Sequence, residues 1–388
     1  MARDPASEIE ALKDEWPANI ALQCFDPDYF ATLPDDRKTR FLKCLKSGVE
    51  NPDSEMGCYA CQPSDYDDFK PFFSKVLARY HKVPDNARHE NDWRLESVAR
   101  LPEDGVLDVA SLGLPALSMR VRTARNLKDF PLPGSMTKDD RIRLEEKMMA
   151  AFEILIDMPD FGGRYYSLTP GNPCFIDDQT YQDLVDAHIM FKNMDADRYL
   201  TAAGIAADWP FGRGCYVSAD KRAIIWVGEE DHLRIMCMQT GTVLGDVFDR
   251  LKKTLDLVEG IDGLAFAYSA DYGVGTSCPT NLGTGMRASL HIPLPGLTSD
   301  GTDARVKALA RPLGLSVRGV GGEHTPIGAD GTVDLSPRAR FCVTEAEILV
   351  RLYDGIRLLA AEESKAGGNP PGAPGQDRQG DALATRDA

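Results

Sequence analysis

The chain has 388 residues, with 44 Lys and Arg against 60 Asp and Glu, a formal net charge of −16. With 43% hydrophobic residues it can bury a large core, but its apolar runs, such as Ala223-Ile-Ile-Trp-Val227, fall far short of the ~20 residues that cross a membrane. Acidity spread along the whole chain repels nucleic acid and anionic membrane, so neither is an expected partner; the same charge also repels ATP at long range.

The N-terminal third reads as helix. Met1-Ala-Arg-Asp-Pro5 is polar and lacks the apolar core of a signal peptide. A helix is predicted over Asp35–Lys46, with Phe41, Leu42 and Leu45 inward. A second is predicted over Asp67–Tyr80, where Phe69, Phe72, Phe73, Val76, Leu77 and Tyr80 share one face. Pro71 fits there only in the first turn. Turn residues in Leu101-Pro-Glu-Asp-Gly105 and Leu112-Gly-Leu-Pro115 mark a seam, giving an all-α unit over 1–105.

Strands and helices alternate over 106–365. Strands are predicted at Leu117–Thr123, Ala223–Val227, His232–Met238, Gly263–Tyr268, Met286–Leu294 and Leu315–Val317. Helices are predicted at Lys138–Asp157, Gln179–Phe191, Val243–Glu259, Thr302–Leu313 and Thr344–Glu363, the last with a Thr344/Glu347 capping box. From Ala366 the chain is rich in Pro and Gly without apolar anchors, and 366–388 is expected to be a disordered tail.

The nine cysteines are scattered and odd in number in a long chain, which fits reduced thiols in a cytoplasmic compartment. Cys58-Tyr-Ala-Cys61 is a C-x-x-C with no second pair to complete a zinc site, so two incidental thiols are expected.

Arginine carries the chemical signal. Alternation along a strand puts Arg120 and Arg122 on one face, opposite Val121. It groups Glu230, His232 and Arg234 against Leu233 and Ile235, and Arg287, Ser289 and His291 against Ala288, Leu290 and Ile292. Three strands that each present Arg on a polar face suggest one shared anion site, because the guanidinium fork matches phosphate oxygens. Two glycine-rich segments, Tyr272–Gly285 and Val317–Thr325, read as loops able to close over a ligand. There is no G-x-x-x-x-G-K-[ST], and Asp160-Phe-Gly162 stands without the other protein-kinase motifs.

Cys278-Pro-Thr-Asn-Leu-Gly-Thr284 resembles the signature of the phosphagen (guanidino) kinases. Arg120-Val-Arg122, Trp209-Pro-Phe-Gly-Arg-Gly214, Trp226–Arg234, Met286–His291, Val317-Arg-Gly and Gly322-Glu-His-Thr325 agree in order, so the resemblance runs from about residue 20 to 362. It implies an α+β fold: a small all-α N-terminal domain, then a larger domain with an antiparallel sheet flanked by helices. It also implies reversible transfer of the γ-phosphoryl of MgATP to a guanidino nitrogen. By the same resemblance Arg120, Arg122, Arg234, Arg287 and Arg318 bind the phosphates, and His188 and His291 line the adenine pocket. Glu230 and Glu323 clamp the guanidinium, and Cys278 lies beside the reactive nitrogen as a thiolate favoured by that cation and by surrounding arginines. Magnesium would be held by ATP oxygens and water, since no carboxylate cage is evident and no metal ligands are assigned.

The segment Asn51–Tyr59 matches the family's specificity loop. Its short length, with Tyr59 and Tyr80, resembles arginine kinases rather than creatine kinases, which makes L-arginine the expected substrate and taurocyamine or another guanidino compound the alternative. Amides of Ser54, Glu55 and Met56, with Tyr59, would receive the substrate carboxylate, and Asp53 with Arg198 would tie the two domains together. Glu55 and Met56 depart from the usual small residues, Gly321 from an arginine and Gly228 from asparagine. The expected partners are ATP or ADP and the guanidino substrate, in a monomer or homodimer.

Overall fold

The computed structural model describes residues 4–320 and 325–367. Glu323 and Gly321, and the tail expectation beyond residue 367, lie outside the described residues. The chain opens with six helices: α1 (Pro5–Glu15), α2 (Ile20–Cys24), α3 (Pro27–Thr32), α4 (Asp35–Glu50), α5 (Asp65–Asp68) and α6 (Lys70–His81). The carboxylates of Asp4 and Asp26 and the amide oxygen of Asn19 cap α1, α3 and α2, accepting from N–H groups that a first helical turn leaves without partners. The single helix expected over Asp67–Tyr80 is two. Phe69 interrupts it, because Pro71 has no N–H to give and is accommodated in the opening turn of α6. Phe41 packs edge-on against Phe69 and Phe72, with ring centroids 5.1 and 5.0 Å apart, at the centre of a small core.

The larger unit holds β1 (Leu117–Arg125), α7 (Lys138–Ile156), β2 (Arg164–Ser167), α8 (Asp178–Asp186), α9 (Arg198–Ala202), β3 (Gly214–Val217), β4 (Ala223–Val227), β5 (Leu233–Gly241) and α10 (Leu244–Glu259). It continues with β6 (Tyr268–Ser269), β7 (Gly273–Val274), β8 (Met286–Pro293), α11 (Ala304–Ala310), β9 (Leu315–Arg318), β10 (Thr332–Pro337) and α12 (Glu345–Lys365). Among the described residues, eight strands form one sheet in the order β2-β3-β4-β5-β1-β8-β10-β9, every neighbouring pair antiparallel; β6 and β7 make a separate two-stranded ribbon. This is the α+β architecture expected. The Thr344/Glu347 capping box forms at the start of α12.

Register sorts the sheet into two faces. Val121, Ile235, Cys237, Ala288, Leu290 and Leu335 lie in the main core with the apolar sides of α7, α10 and α12. The intervening residues, including Arg120, Arg122, Arg234, Arg287 and His291, take the other face, as pleating requires.

Several local expectations change. Of the strand expected at Gly263–Tyr268 only its end pairs, in β6; Ala265 and Phe266 instead bridge to the exit of β1 through the Lys128 amide and Leu127. The helix expected to Phe191 ends at Asp186, and His188 takes a φ of 58°, which helix cannot continue. β2, β3 and β10, unrecognised in the sequence, extend the sheet at both sides. Packing crosses the seam expected near residue 105. Trp93, Leu95, Val98 and Leu101 pack on the large core, with Trp93 stacked on Phe248 at 5.0 Å. Leu132, Tyr272, Cys278, Leu282 and Phe341 of the large unit complete the small core. The two units therefore share a packed seam.

Candidate active site

The arginines meet because neighbouring strands are in register. Arg122 of β1 lies opposite Arg287 of β8, and Arg120 opposite Ser289. On the other side of β1, Ala124 faces Arg234 of β5. Asp334 of β10 lies between His291 and Arg318, its cross-strand partners on β8 and β9. Arg120, Arg287, His188, His291 and Asp334 line a cavity of about 270 Å³. Arg120 and His188 also line an adjoining cavity of about 350 Å³ with Arg122, Arg234, Glu229 and Trp226.

Among the described residues, the counter-charges facing Arg120, Arg122 and Arg287 are fewer than the guanidinium groups. Arg287 donates to Asp334 at 2.7 Å and to the Ser336 hydroxyl at 3.1 Å, yet burial and the nearby arginines bring its pKa down to about 10. Arg122 is held well below the usual range by burial, then by Arg234, Arg120 and Arg287. Burial also lowers Arg120. Arg234 differs: against the cost of burial, Glu229 at 2.8 Å and Glu230 at 3.1 Å keep it charged and raise its pKa. Such a group of charges, fixed before any ligand arrives, is an anion site that need not reorganise.

Glu230 and Glu229 reach Arg234 from a turn rather than from a strand. Residues 228–232 join β4 to β5, and Gly228 makes the bend at φ 73°. A Cβ there would also stand 2.3 Å from the Gly212 carbonyl. The expected common face of Glu230, His232 and Arg234 therefore does not form. His232 is buried, with Nδ1 accepting from the Leu127 amide at 3.0 Å and Nε2 placed 2.8 Å from the Pro131 carbonyl. Burial raises the Glu230 pKa to about 7; Arg234 opposes the rise, while Glu229 and Asp231 add to it. Asn281 donates to the Glu230 Oε2 at 3.2 Å.

The segment around Cys278 is pinned rather than loose. Ser277 N–H donates to Asp231 at 2.7 Å, the Ser277 carbonyl accepts from Ala60 N–H at 2.7 Å, and the Tyr66 hydroxyl donates to the Thr276 carbonyl at 2.9 Å. Cys278 opens a short turn over Pro279–Asn281, with its Sγ 3.1 Å from the Thr280 hydroxyl. Burial and then Glu230 push its thiol up to about 12. In the free protein, desolvation and the nearby carboxylate thus work against the expected thiolate.

The N-terminal residues are split by the structure. Asp53 forms an ion pair with Arg198, and the Tyr199 hydroxyl donates to Asp53 at 3.1 Å. Ser47 and Asn51 bond the carbonyls of Tyr199 and Arg198, at 2.9 and 3.4 Å. The Ser54 amide is occupied by the Asn51 carbonyl, while its hydroxyl accepts from Gly57 N–H at 3.1 Å. Met56 turns into the small core, its Sδ 3.9 Å from the Cys58 Sγ, so this side chain does not line the cleft. Glu55 is exposed. Tyr59 and Tyr80 are partly buried against the small core, and desolvation raises both phenols; Cys278 and Glu230 act electrostatically on Tyr59, and Cys278 and Glu55 on Tyr80.

Sequence reasoning did not single out Glu229, Asn281, Asp334 or Arg340. Arg340 donates to the Thr280 carbonyl and to Asn281 Oδ1, both at 3.0 Å, and lines a narrow space with Arg122, Arg234 and Arg287. A chain of contacts thus runs from Arg340 through Asn281 to Glu230. Glu229 was visible as the neighbour of Glu230; the other three come together only through the fold.

Residues 19–78 match the profile described as the ATP:guanido phosphotransferase N-terminal domain, and 143–366 match that family's C-terminal catalytic domain. The chain is 35% identical to an arginine kinase of Anthopleura japonica over 90% of its own length, but spans only 47% of that protein. It is 36% identical to an arginine kinase of Polybetes pythagoricus, covering 83% of this chain and 85% of the relative. Among solved structures, the duplicated taurocyamine kinase of Schistosoma mansoni with bound transition-state-analogue components superposes with a TM-score of 0.77 at 29% identity, over 94% of this chain and 49% of that one. Matches to both domain profiles, and a relative this similar over most of its length, mean that this chain belongs to the ATP:guanido phosphotransferase family.

Proposed function

We propose that the protein transfers the γ-phosphoryl group of MgATP reversibly to a guanidino nitrogen of L-arginine, giving phosphoarginine and ADP. The observation that carries this reading is the meeting of an arginine-lined cleft with Glu230 and Cys278 at the seam between the two units. His188 and His291 border the cavity suited to the adenine, and Arg120, Arg122, Arg234 and Arg287, which line the two cavities, take the phosphates together with Arg318 of β9, opposite Asp334. Phosphoryl transfer asks for alignment and charge stabilisation more than for covalent help, and fixed guanidinium groups supply both.

Glu230 holds the guanidinium in line and accepts the proton lost as its nitrogen attacks phosphorus. A carboxyl group poised near neutrality suits that task. Glu323 is the second clamp on this reading. The guanidinium, once bound, lowers the Cys278 thiol, and the sulfur tunes the position and charge of the nucleophile.

Magnesium fits this cleft as a passenger of the nucleotide. Glu229, Glu230 and Asp334 are each ion-paired to an arginine, which leaves the ion to ATP oxygens and water. Bound in that way, it offsets phosphate charge.

Nine unpaired thiols favour a reducing compartment, and we read the protein as cytoplasmic, acting as a monomer or homodimer. No helix among the described residues is long and apolar enough to cross a membrane. The likeness to the taurocyamine kinase of Schistosoma mansoni keeps taurocyamine or another guanidino compound as the second reading. A coupled assay with MgATP over arginine, taurocyamine and creatine tests both. Preference for arginine supports the first reading, preference for taurocyamine overturns it in favour of the second, and no turnover on any guanidine refutes both.

A further inference from the structure

The two thiols of the C-x-x-C motif part company in the fold. Cys58 lies in the small core beside Met56, whereas Cys61 meets Cys44 of α4. The sulfurs of Cys44 and Cys61 and a carboxylate oxygen of Asp65 all lie within 4.8 Å of one another, and all three residues are buried. Cys44 Sγ donates to Asp65 Oδ2 at 3.4 Å. The same oxygen accepts from the amides of Cys61 and Gln62, at 2.7 and 2.8 Å, and Arg40 Nε stands 2.9 Å from the other oxygen. With both oxygens engaged, the carboxylate is poorly free to ligate a metal. It is well placed to hold two thiols in register and to receive a proton from one of them.

We propose that Cys44 and Cys61 are a reversible redox pair that closes to a disulfide when a small hydroperoxide reaches it. The two thiols are unlike. Cys44, whose proton is already directed at Asp65 Oδ2 at 3.4 Å, is placed as the resolving thiol, which leaves Cys61 as the attacking one. The neighbouring Cys44 thiol, with Ser135, also lowers the Cys61 pKa against the effect of burial, whereas burial raises Cys44. Cys61, as the thiolate, takes one oxygen from hydrogen peroxide, forming a sulfenic acid and releasing hydroxide. Cys44 sulfur then attacks that sulfur as its proton passes to Asp65; the S–O bond breaks, and the departing hydroxide takes the proton as water.

The pair lies one residue from the site. The Cys44 carbonyl accepts from Tyr59 N–H at 2.9 Å, Ala60 N–H bonds Ser277 at 2.7 Å, and the Cys61 carbonyl accepts from Leu132 N–H at 3.0 Å. Closing the disulfide draws Cys61 and α4 together and pulls on all three bonds. That effect on turnover rests on the phosphoryl-transfer reading above; formation of the disulfide does not.

The test exposes the reduced full chain to hydrogen peroxide, caps free thiols with N-ethylmaleimide and maps the linked peptides. A Cys44–Cys61 linkage that dithiothreitol reopens is expected, and Cys44→Ser abolishes it. Linkage of Cys61 to Cys58, of Cys58 to Cys278, or oxidation without any Cys44–Cys61 bond overturns the proposal. This map on the unaltered chain decides even if the serine variant fails to fold. In parallel, oxidised wild-type protein should lose turnover reversibly, by up to about a hundredfold for a displacement near 1 Å, and Cys44→Ser should lose less. Equal losses in both chains would overturn the regulatory effect. Absence of turnover in both reduced chains would refute the phosphoryl-transfer reading and leave the peptide map to judge the disulfide.

Discussion

On one face of the sheet Val121, Ile235, Ala288 and Leu335 lie beneath helices; on the other, one residue along, Arg122, Arg234, Arg287 and Asp334 border an open cleft. The same strands thus build two regions under opposite rules. The covered face is close-packed, and each large aliphatic side chain gains about 1.5–3 kcal/mol from leaving water. The open face holds positive charges together with few partners, and burial works against them. A sheet anchored on one side can keep a strained arrangement on the other, which is how a ligand site is stored in a fold. It also explains how an acidic chain can attract a polyanion: net charge describes the whole surface, whereas the cleft has its own sign.

The largest expected effect comes from breaking the open face without breaking the fold. Arg122→Met removes a charge that burial and three other arginines oppose. Turnover should fall by about 10³–10⁵, the scale of a transition-state arginine. The melting temperature should rise, because the charged form is disfavoured in the native state. A fall in melting temperature with turnover kept would reverse both assignments.

Glu230→Gln is expected to cost about 10²–10⁴ in kcat, the span of general-base catalysis, with nucleotide affinity little changed. Its pH dependence carries a sign. A base must be unprotonated, and this carboxyl has a pKa raised to about 7, so kcat/KM should climb as pH rises through that value. The glutamine variant should lose this limb from its residual activity. A limb that persists would assign the titration to another group.

The comparison also shows what the sequence could disclose. Arg120, Arg122 and Arg287 were legible because strand alternation is a local rule that register converts into neighbourhood. The aromatic spacing of Phe69 to Tyr80 disclosed the helix but not its interruption at Phe69, where Pro71 starts a new first turn. Glu229 escaped because residues 228–232 form a turn, to which alternation does not apply. Arg340 and Asp334 escaped for a different reason: they depend on the positions of β8, β9 and β10, set by pairings that no short window contains. The Cys44–Cys61 contact belongs with these, since the C-x-x-C spacing pointed to Cys58 instead.

On the covered face, Ile235→Ala should destabilise the protein by about 2–5 kcal/mol, as large-to-small changes in a packed core do. Ile235 is fully buried among the residues facing α10. Turnover per folded molecule should stay near wild type, since the neighbouring Arg234 is held from the other side by Glu229 and Glu230. Chemical denaturation with activity normalised to folded protein checks it; a large loss of specific activity with unchanged stability would show that the two faces are not separable.

The smallest effect tests whether the open face depends on the seam. Asp53 and Arg198 are 38% and 60% exposed, so water and salt screen their attraction and such a pair contributes little. Asp53→Asn should therefore raise KM for the guanidino substrate by at most about fivefold. The difference from wild type should shrink above 0.5 M salt, where charges this exposed hardly interact. Neighbouring bonds from Ser47 and Asn51 to α9 are uncharged and remain, so kcat should hold. A salt-independent loss of kcat would mean instead that Asp53 acts on the reacting groups, and that the cleft's geometry is set from the helical unit as much as from the sheet.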